Sequence, residues 1–500
     1  MYSRFSTGLL LSLLVGCAGT GSHGAANLVP ARTMQRGHAV GPIQHVIVIM
    51  QENRSFDNFF HNFPGANGAT YGIGHGTTYT LKPINLAWPN QDPIHSHWEF
   101  LEDYDGGKND GFDREVYQFA GGPACKSEPE NFPDCWVYHR QGDWLDLAYS
   151  YVPEAQIRPY WTMAKQYTLG DDTFSSNSGE SFPSHQYMVA AQSGHASEVP
   201  SIMPWGCDAP KEAEYYLAAG RSKPPQFPRA FGHEVGYPFG PEPGPDPCFP
   251  LDDKPSSAYP TIADLLDQAG ITWRYYVQPH VSGPKGDSYW LNAFDAVKAV
   301  RYGPDWNANI SEPDTNVLTD IANGDLAQVT WVMPHGGASD HAGGGSGNCG
   351  PNWVTSIVNE IGESPYWNST AIVIMWDEWG GWYDHVLPPQ YPDPQTGVYE
   401  GLGYRVPLIV VSPYAKAHYI SHKQHEIAST LRYIEQTFNL PFLGTGSGHA
   451  YADQRADAFD DIFDYTQKPL TFKAIAPLPG HKGCSNPWDF VRQKWPPEKD

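Results

Sequence analysis

The chain has 500 residues, and its 55 acidic side chains against 31 basic ones give a formal net charge of −24 at pH 7. Such an excess of negative charge opposes binding to nucleic acids, because that binding depends on Lys and Arg contacts to phosphate. With 17 Trp, 29 Tyr and 22 Phe residues, the chain has enough aromatic side chains for a large hydrophobic core. The composition therefore favours a large globular protein without a nucleic-acid partner.

The first residues predict an export signal. Residues 1–17 combine one positive charge, Arg4, with an apolar stretch that is too short for a membrane-spanning helix. The end of this stretch resembles a bacterial lipobox in which Cys17 is the lipidated first residue; an ordinary signal peptide with a chance cysteine is the alternative. We expect residues 18–41 to be a flexible tether. The expected location is the bacterial cell envelope, lipid-anchored at the periplasmic face of the outer membrane.

An apolar run from His45 to Met50 predicts a buried strand of a parallel sheet. Glu52 and Asn53, which both offer oxygen atoms, follow it almost directly. Ligands of open α/β sheets bind just beyond the carboxyl ends of such strands. We therefore expect Glu52 and Asn53 to belong to a binding site; a core strand that ends in a polar turn is the alternative.

A serine marks the second candidate segment. Ser181 follows a strand-like piece at 167–174 and precedes an apolar, helical run from Tyr187 to Ala191. At such a junction the amides of a helix N-terminus can bind an anion, and a base or a metal can activate the hydroxyl as a nucleophile. Ser181 is therefore the candidate nucleophile, and an ordinary helix cap is the alternative.

A second apolar run, from Thr370 to Trp376, ends in the adjacent residues Asp377 and Glu378. Two buried adjacent carboxylates repel each other unless a cation neutralises them. Together with the side chains that follow the first strand, they form an all-oxygen set. Such a set suits a hard divalent ion such as Ca²⁺, Mg²⁺ or Mn²⁺ better than Zn²⁺. We predict one metal ion shared by the two strand ends.

Because the two halves of this site lie far apart in the sequence, the intervening chain must return to one sheet. We predict a single α/β domain at 42–490 and a C-terminal tail at 491–500. A segment rich in Pro, Gly and aromatic residues, 204–255, is expected to form a cap-like insertion over the site. Further elements are expected as strands near 271–278, 328–334 and 406–412 and helices at 261–268, 353–361 and 427–438. His280, just after one of these strands, is a candidate phosphate ligand; a surface position is the alternative.

The six cysteines after Cys17 predict disulfides, since the count is even and the protein is expected to be exported. Proximity suggests that Cys125 pairs with Cys135 and Cys207 with Cys248, which leaves Cys349 with Cys484, although six cysteines permit about 15 connectivities. These cysteines lack the paired spacing of a zinc site, which further favours an oxygen-ligated metal.

Several segments together resemble the bacterial acid phosphatase and phospholipase C family of the alkaline-phosphatase superfamily. They are Gln51 to Asp57, Gly179-x-Ser181-x-Pro183-x-His185, Ser339-Asp340-His341, Asp377 to Pro389, and Arg405 to Pro413. The resemblance extends from about residue 43 to 440. It implies a three-layer α/β/α fold with a mostly parallel central sheet.

The resemblance also implies a reaction and its residues. Ser181 would attack phosphorus and form a phosphoserine intermediate, which metal-activated water then hydrolyses. The implied metal ligands are Glu52, Asn53, Asp377 and Glu378. His341 would contact the phosphate or assist the leaving group. His95 would bind phosphate, although the neighbouring His97 makes this assignment ambiguous.

Two features favour an acid phosphatase, which acts on phosphate monoesters, over a phospholipase C. The nucleophile position holds Ser181, whereas the family's phospholipases commonly carry Thr there. The chain ends without room for the C-terminal β-domains of the large secreted phospholipases. Ser184 stands where many relatives have Asn, so a hydroxyl replaces the amide that they can offer to phosphate. Phospholipid head groups are the alternative substrates; an inactive binding lipoprotein and a sulfatase are further alternatives.

Overall fold

Strands that are apolar on both faces build the centre of the fold. The computed structural model describes residues 37–86, 92–120, 136–140, 146–194, 196–200, 205–209, 248–250, 258–278, 291–342, 349–390, 401–445 and 451–479. All of these residues fall within one unit, Arg36–Asp500.

In the described residues the strands are β1 (His45–Gln51), β2 (Tyr71–Gly74), β3 (Thr77–Thr80), β4 (Lys82–Pro83), β5 (Asp92–Pro93), β6 (Val116–Ala120), β7 (Trp136–Arg140), β8 (Ser150–Tyr151), β9 (Thr168–Gly170), β10 (Thr173–Phe174), β11 (Trp273–Tyr276), β12 (Ile310–Ser311), β13 (Val329–Val332), β14 (Thr370–Trp376), β15 (Leu408–Val411), β16 (Tyr419–Ser421) and β17 (His425–Glu426). The α-helices there are α1 (Phe56–Phe60), α2 (His97–Tyr104), α3 (Glu154–Gln166), α4 (Ser181–Ala190), α5 (Ile262–Ala269), α6 (Lys298–Arg301), α7 (Pro304–Asn309), α8 (Asn316–Asn323), α9 (Gly350–Gly362) and α10 (Ala428–Phe438).

The central sheet contains eight of the described strands, in the order β12-β11-β13-β1-β14-β15-β9-β16. Within this part of the chain β15 runs antiparallel to both of its neighbours, and the other adjacent pairs are parallel. β1 pairs with β14 along its whole length, from His45 opposite Thr370 to Gln51 opposite Trp376. The predicted, mostly parallel sheet is confirmed, and the carboxyl ends of β1 and β14 lie at the same edge.

The composition of β14 explains why it lies in the middle of the sheet. All seven of its residues are buried. Because successive side chains of a strand point to opposite faces, the sheet must be covered on both sides. Among the described helices, α3 packs on β9 and β15, and α9 packs on α3 and α8. This layered arrangement is the predicted α/β architecture.

The predicted strands and helices are present, with one difference. The single strand expected at 167–174 is two strands, β9 in the central sheet and β10 paired with β17 outside it. Asp171 lies between them and accepts a hydrogen bond of 2.7 Å from the Asn67 amide through Oδ2. This anchored turn redirects the chain toward Ser181.

The amino-terminal boundary of the folded unit lies earlier than predicted. Residues 37–41 were expected to end the tether, yet the Gly37 amide donates to the carbonyl of Gly270 (3.2 Å) and the Val40 amide to that of Thr437 (3.0 Å). Residues 1–17 with Cys17, the tail at 491–500 and most of the predicted insertion lie outside the described residues. In the described part of the chain, no helix is long and apolar enough to span a bilayer.

One predicted disulfide is confirmed and the others extend beyond the described residues. Cys207 and Cys248, at the two ends of the predicted insertion, are joined. Cys349 is also disulfide-bonded. Its expected partner Cys484 lies outside the described residues, as do Cys125 and Cys135.

Candidate active site

The ends of β1 and β14 bring the acidic residues together. The Asp377 amide donates to the carbonyl of Gln51, and the Asn53 amide donates to Oδ1 of Asp377, both at 3.0 Å. Asn53 adopts φ +53°, a left-handed conformation that turns the chain sharply after the strand. Glu52, Asn53 and Asp377 are fully buried. The predicted convergence of the two strand ends is therefore present in the structure.

Ser181 is the first residue of α4 and faces this acidic edge. The hydroxyl of Ser181 lies 3.3 Å from Oε2 of Glu52 and donates to it. The residue at the cap position is Glu180, whose side chain does not cap the helix and accepts instead from the Val199 amide at 2.6 Å. The alternative of Ser181 as the cap is therefore wrong, and its hydroxyl is directed to a carboxylate.

In the sequence, His185 stands out only as part of the motif that contains Ser181. In the structure it belongs to the site. Its Nε2 lies 3.0 Å from Oε1 of Glu52 and 3.6 Å from Oδ2 of Asp377. Ser181 and His185 are four positions apart, so both side chains project from one face of α4. That spacing, combined with a helix that begins at Ser181, is the signal that could have identified His185.

The ionisable groups of this cluster shift one another's pKa values. Burial, and then the charge of Asp377, raise the pKa of Glu52 to about 8. Burial would lower the pKa of His185, but its contacts with Asp377 and Glu52 raise it to about 10. Burial would raise the pKa of Asp377, but His185 holds it below its usual value. The two carboxyl groups and the His185 imidazole thus influence one another's ionisation.

The donor set fits a divalent metal ion. Ligand atoms of Glu52, His185 and Asp377 all lie within 4.8 Å of one another. Oδ1 of Asn53 and Oδ2 of Asp377 are buried and accept no hydrogen bond from the described residues. Buried oxygens without a donor are costly, and a cation would compensate them. The described site therefore matches the predicted oxygen-rich set, with one histidine nitrogen in addition.

Glu378 is held by the turn that follows it. Its Oε2 accepts a hydrogen bond of 2.6 Å from the Gly380 amide. Gly380 and Gly381 have φ values of +65° and +68°, and a Cβ at Gly380 would collide with the Asn53 carbonyl. The Gly-Gly pair is therefore required for the close approach of this turn to the first strand end.

Two of the predicted histidines lie together beside Asn53. Nε2 of His95 lies 3.0 Å from Nδ2 of Asn53, and the rings of His95 and His341 are 5.6 Å apart. Burial lowers the pKa of both histidines, that of His341 to about 4. His97 points elsewhere, since its Nδ1 lies 3.0 Å from the hydroxyl of Ser178. Of the two histidines, His95 is the one that lies beside Asn53, and its predicted phosphate contact stays a prediction.

A buried ion network connects several of the motif segments. Arg405 donates to Oδ1 of Asp384 at 2.8 Å, and its guanidinium lies 3.5 Å from Oδ1 of Asp57. The ring of His385 lies 2.7 Å from Oδ2 of Asp57. These contacts connect α1, which follows β1, with the loop after β14. The network gives these motif residues a structural role.

The loop before Ser181 is braced from the far end of the chain. Glu426 accepts a hydrogen bond of 2.8 Å from the hydroxyl of Ser176, and Arg455 donates to both Glu426 (2.8 Å) and the carbonyl of Ser176 (3.1 Å). Within the loop, Asn177 donates to the hydroxyl of Ser184 at 2.9 Å. The hydroxyl at position 184 is therefore used to hold the loop.

The structure brings most of the predicted site residues to one sheet edge. They are Ser181, Glu52, Asn53, Asp377, Glu378, His95 and His341. His280 and Cys17 lie outside the described residues, and their predicted roles stay predictions.

Known proteins share this sequence pattern. A model of the phosphoesterase family matches residues 43–441. Phospholipase C A of Mycobacterium tuberculosis is 23% identical over 481 residues, which cover 84% of this chain and 79% of that protein. Non-specific phospholipase C6 of Arabidopsis thaliana is 30% identical over 471 residues, which cover 87% and 76% of the two chains.

Among solved structures, a protein in the alkaline phosphatase superfamily from Vibrio parahaemolyticus is 8% identical, with a TM-score of 0.35, and the match covers 90% of this chain and 75% of that one. The family match begins and ends within a residue of the stretch expected from the sequence motifs, and it contains Glu52, Ser181 and Asp377. The chain therefore belongs to the phosphoesterase family.

Proposed function

We propose that the protein is a metal-dependent phosphomonoesterase, an acid phosphatase, in which Ser181 attacks phosphorus and becomes a phosphoserine. The observation on which the proposal rests is the position of the Ser181 hydroxyl, 3.3 Å from Oε2 of Glu52 at the start of α4. A nucleophile of this kind needs a base or a metal to activate it, and this edge of the sheet holds the residues that would bind a metal.

Residues of the chain perform most of the proposed steps. Glu52 accepts the hydrogen bond of the Ser181 hydroxyl and so orients the attacking oxygen. The first amides of α4 are not capped by the Glu180 side chain, so the positive end of the helix dipole faces the developing charge on phosphate. His341 is assigned to the phosphate or the leaving group, as the family resemblance implies.

The metal would be held by Glu52, Asn53, Asp377 and Glu378, with His185 beside them. When bound, a divalent ion lowers the pKa of a coordinated hydroxyl or water and polarises a phosphoryl oxygen. His185 contacts Glu52 and Asp377 and holds these two carboxylates toward each other. The identity of the ion follows the donor chemistry, with Ca²⁺, Mg²⁺ and Mn²⁺ favoured by the carboxylate and amide oxygens.

A second candidate function is that of a phospholipase C, which would release a phosphorylated head group from a lipid. The names of the relatives favour it, since they are phospholipases C from bacteria and a plant that are 22–30% identical to this chain. The serine at position 181 favours the phosphatase, because the resemblance predicts threonine there for phospholipases.

Side-by-side assays separate these functions. The purified, metal-loaded protein is given p-nitrophenyl phosphate and, separately, phosphatidylcholine vesicles, while phosphate and phosphocholine release are measured. We expect faster release of inorganic phosphate from the aryl ester, and acid quenching should trap a phosphorylated Ser181. Faster release of phosphocholine would contradict the phosphatase proposal and support the phospholipase. Ser181→Ala, tested on both substrates, shows whether each activity belongs to this site.

A further inference from the structure

We propose that His95 is a positioning residue that fixes which end of the Asn53 amide is available to a cation. This role differs from the phosphate contact predicted from the sequence. It rests on the proposed metal centre of the active site, and it concerns how one ligand of that centre is oriented. The protein atoms involved are the two ring nitrogens of His95, the carbonyl of Pro93 and the side-chain amide of Asn53.

The first ring nitrogen sets the tautomer. Nδ1 of His95 lies 2.8 Å from the carbonyl oxygen of Pro93. A carbonyl oxygen can only accept a hydrogen bond, so Nδ1 must carry a proton and donate. The neutral imidazole then has its lone pair on Nε2, which makes that nitrogen an acceptor.

The second ring nitrogen selects the orientation of Asn53. Nε2 of His95 lies 3.0 Å from Nδ2 of Asn53, so the amide nitrogen donates to it. A flip of the amide would place an oxygen against the Nε2 lone pair, and two acceptors would then face each other. Oε1 of Glu378 also lies near Nε2, but at 3.8 Å it is beyond hydrogen-bond length. His95 therefore excludes the flipped orientation.

The selected orientation leaves the amide oxygen for a cation. Oδ1 of Asn53 is buried and accepts no hydrogen bond from the described part of the chain. The backbone of Asn53 is already fixed, since its amide donates to Oδ1 of Asp377 at 3.0 Å. The side-chain amide of Asn53 can still rotate, and such a rotation could turn its nitrogen, a donor, toward a metal in place of its oxygen, an acceptor. Prevention of that rotation is the role assigned to His95.

Affinity for Mn²⁺ alone, measured by titration calorimetry on the metal-free full-length protein, tests the role without reference to activity. We expect His95→Ala to weaken Mn²⁺ binding about 10- to 100-fold, as is typical when the partner of a ligand is removed. His95→Gln should bind nearly as tightly as wild type, because the glutamine oxygen can accept from Asn53. His97→Ala, another buried histidine on a neighbouring position, is the matched control and should not change the affinity.

A second background tests orientation directly. Asn53→Asp offers oxygen at both ends of the side chain, so it needs no orienting partner. In that background, we expect His95→Ala to cost little Mn²⁺ affinity, and the two changes are thus non-additive. Thermal unfolding of each metal-free variant shows whether the fold is retained; if His95→Ala unfolds, His95→Gln and the Asn53→Asp background still decide the matter.

Several outcomes would overturn the inference. Equal losses of Mn²⁺ affinity in His95→Gln and His95→Ala would show that an acceptor for the Asn53 side-chain amide does not determine this affinity. A full loss from His95→Ala in the Asn53→Asp background would show the same. Asp377→Ala separates the two proposals: if it abolishes Mn²⁺ binding while His95→Ala does not weaken it, only the positioning role fails. If Asp377→Ala leaves binding unchanged, the metal centre itself fails.

Discussion

The backbone amide of Asn53 donates a 3.0 Å hydrogen bond to Oδ1 of Asp377, a residue 324 positions further along the chain. The bond continues the register of β1 and β14 beyond their last paired residues, Gln51 and Trp376. Two acidic strand ends that are remote in sequence thus form one structural unit. The metal proposal depends on that unit.

If Glu52 and Asp377 share one cation, the change of either to Ala should lower bound metal from about one equivalent toward zero. The double variant should be no worse than the single ones, because ligands that act together are strongly non-additive. Elemental analysis of the purified variants is the measurement. Asp340→Asn is the matched control, since this buried carboxylate accepts from Tyr160 and Gln51 instead. Full metal occupancy in both single variants would contradict a shared site.

Ser181→Ala should reduce kcat by at least about 100-fold while the fold is retained, because it removes the attacking oxygen and little volume. Initial rates and circular dichroism are the measurements. Ser184→Ala provides a comparison on the same helix, since that hydroxyl accepts from Asn177 and is not directed to Glu52. We expect it to lose some stability and to keep turnover. Comparable rates for wild type and Ser181→Ala would leave Ser181 with a structural role alone.

Arg405→Met should destabilise the protein by about 3–5 kcal/mol, because it leaves Asp57 and Asp384 buried without their cationic partner. Denaturant unfolding of the two proteins gives the difference in the free energy of unfolding. Lys82→Ala is the comparison, since its pair with Asp146 is 3.7 Å long and its side chain is 55% exposed. That change should cost less than about 1 kcal/mol. A similarly small cost for Arg405→Met would show that the buried network does not stabilise the fold.

Glu435 should make the stability of the protein depend on pH. Burial, and after it Asp453, raise the pKa of Glu435 from 4.5 to about 9 in the folded protein. The folded state therefore keeps this proton while the unfolded state loses it, and stability falls as pH rises from about 4.5 to 9. The slope from this one group is at most about 1.4 kcal/mol per pH unit.

Glu435→Gln should therefore flatten the loss of unfolding free energy between pH 5 and pH 9, relative to wild type. The glutamine keeps an oxygen that can accept from the Leu443 amide, as Glu435 does. Urea unfolding at several pH values is the measurement. Glu154→Gln changes the charge equally at an exposed site, where the side chain is 47% exposed, and should leave the slope unchanged. Parallel pH profiles of wild type and Glu435→Gln would refute the assignment.

We also propose that Cys17 is the site of a lipid anchor in the cell envelope. Cys17→Ser should then release the protein from membranes into the soluble periplasmic fraction, with activity unchanged. Fractionation of cells and mass spectrometry of the amino-terminal peptide are the measurements. A wild-type protein that fractionates as soluble and carries no acyl chain would show that the lipobox interpretation is wrong.

The parts of the fold that could be predicted are those with strong local patterns. β1 and β14 are continuous apolar runs that end in acidic residues, so both their burial and the position of Glu52 and Asp377 follow from the sequence. The direction of β15 could not be predicted in this way, because an apolar run looks the same in either orientation. Its direction is determined by how the chain returns to the sheet.

Side-chain roles could be predicted only where the backbone alone determines them. His185 was missed because its contact with Glu52 depends on α4 beginning at Ser181, and helix ends are the least certain part of a sequence-based expectation. The hydrogen bonds of His95 with Pro93 and Asn53 could not be predicted from the sequence either. The contact with Asn53 depends on the left-handed backbone of that residue, which no local pattern indicates.

Because the chain is synthesised from its amino terminus, the hydrogen bonds among Ser176, Glu426 and Arg455 cannot all form until Arg455 has been made. Ser176 is synthesised 250 residues before Glu426, so the loop that presents the nucleophile leaves the ribosome long before the side chains that hold it. Contacts of such high sequence separation form late in folding, because the entropy of closing the loop must be overcome first. A nascent chain shorter than 426 residues therefore lacks both Glu426 and Arg455, the two residues that brace the loop before Ser181. The loop before Ser181 therefore gains these contacts only when the chain is almost finished.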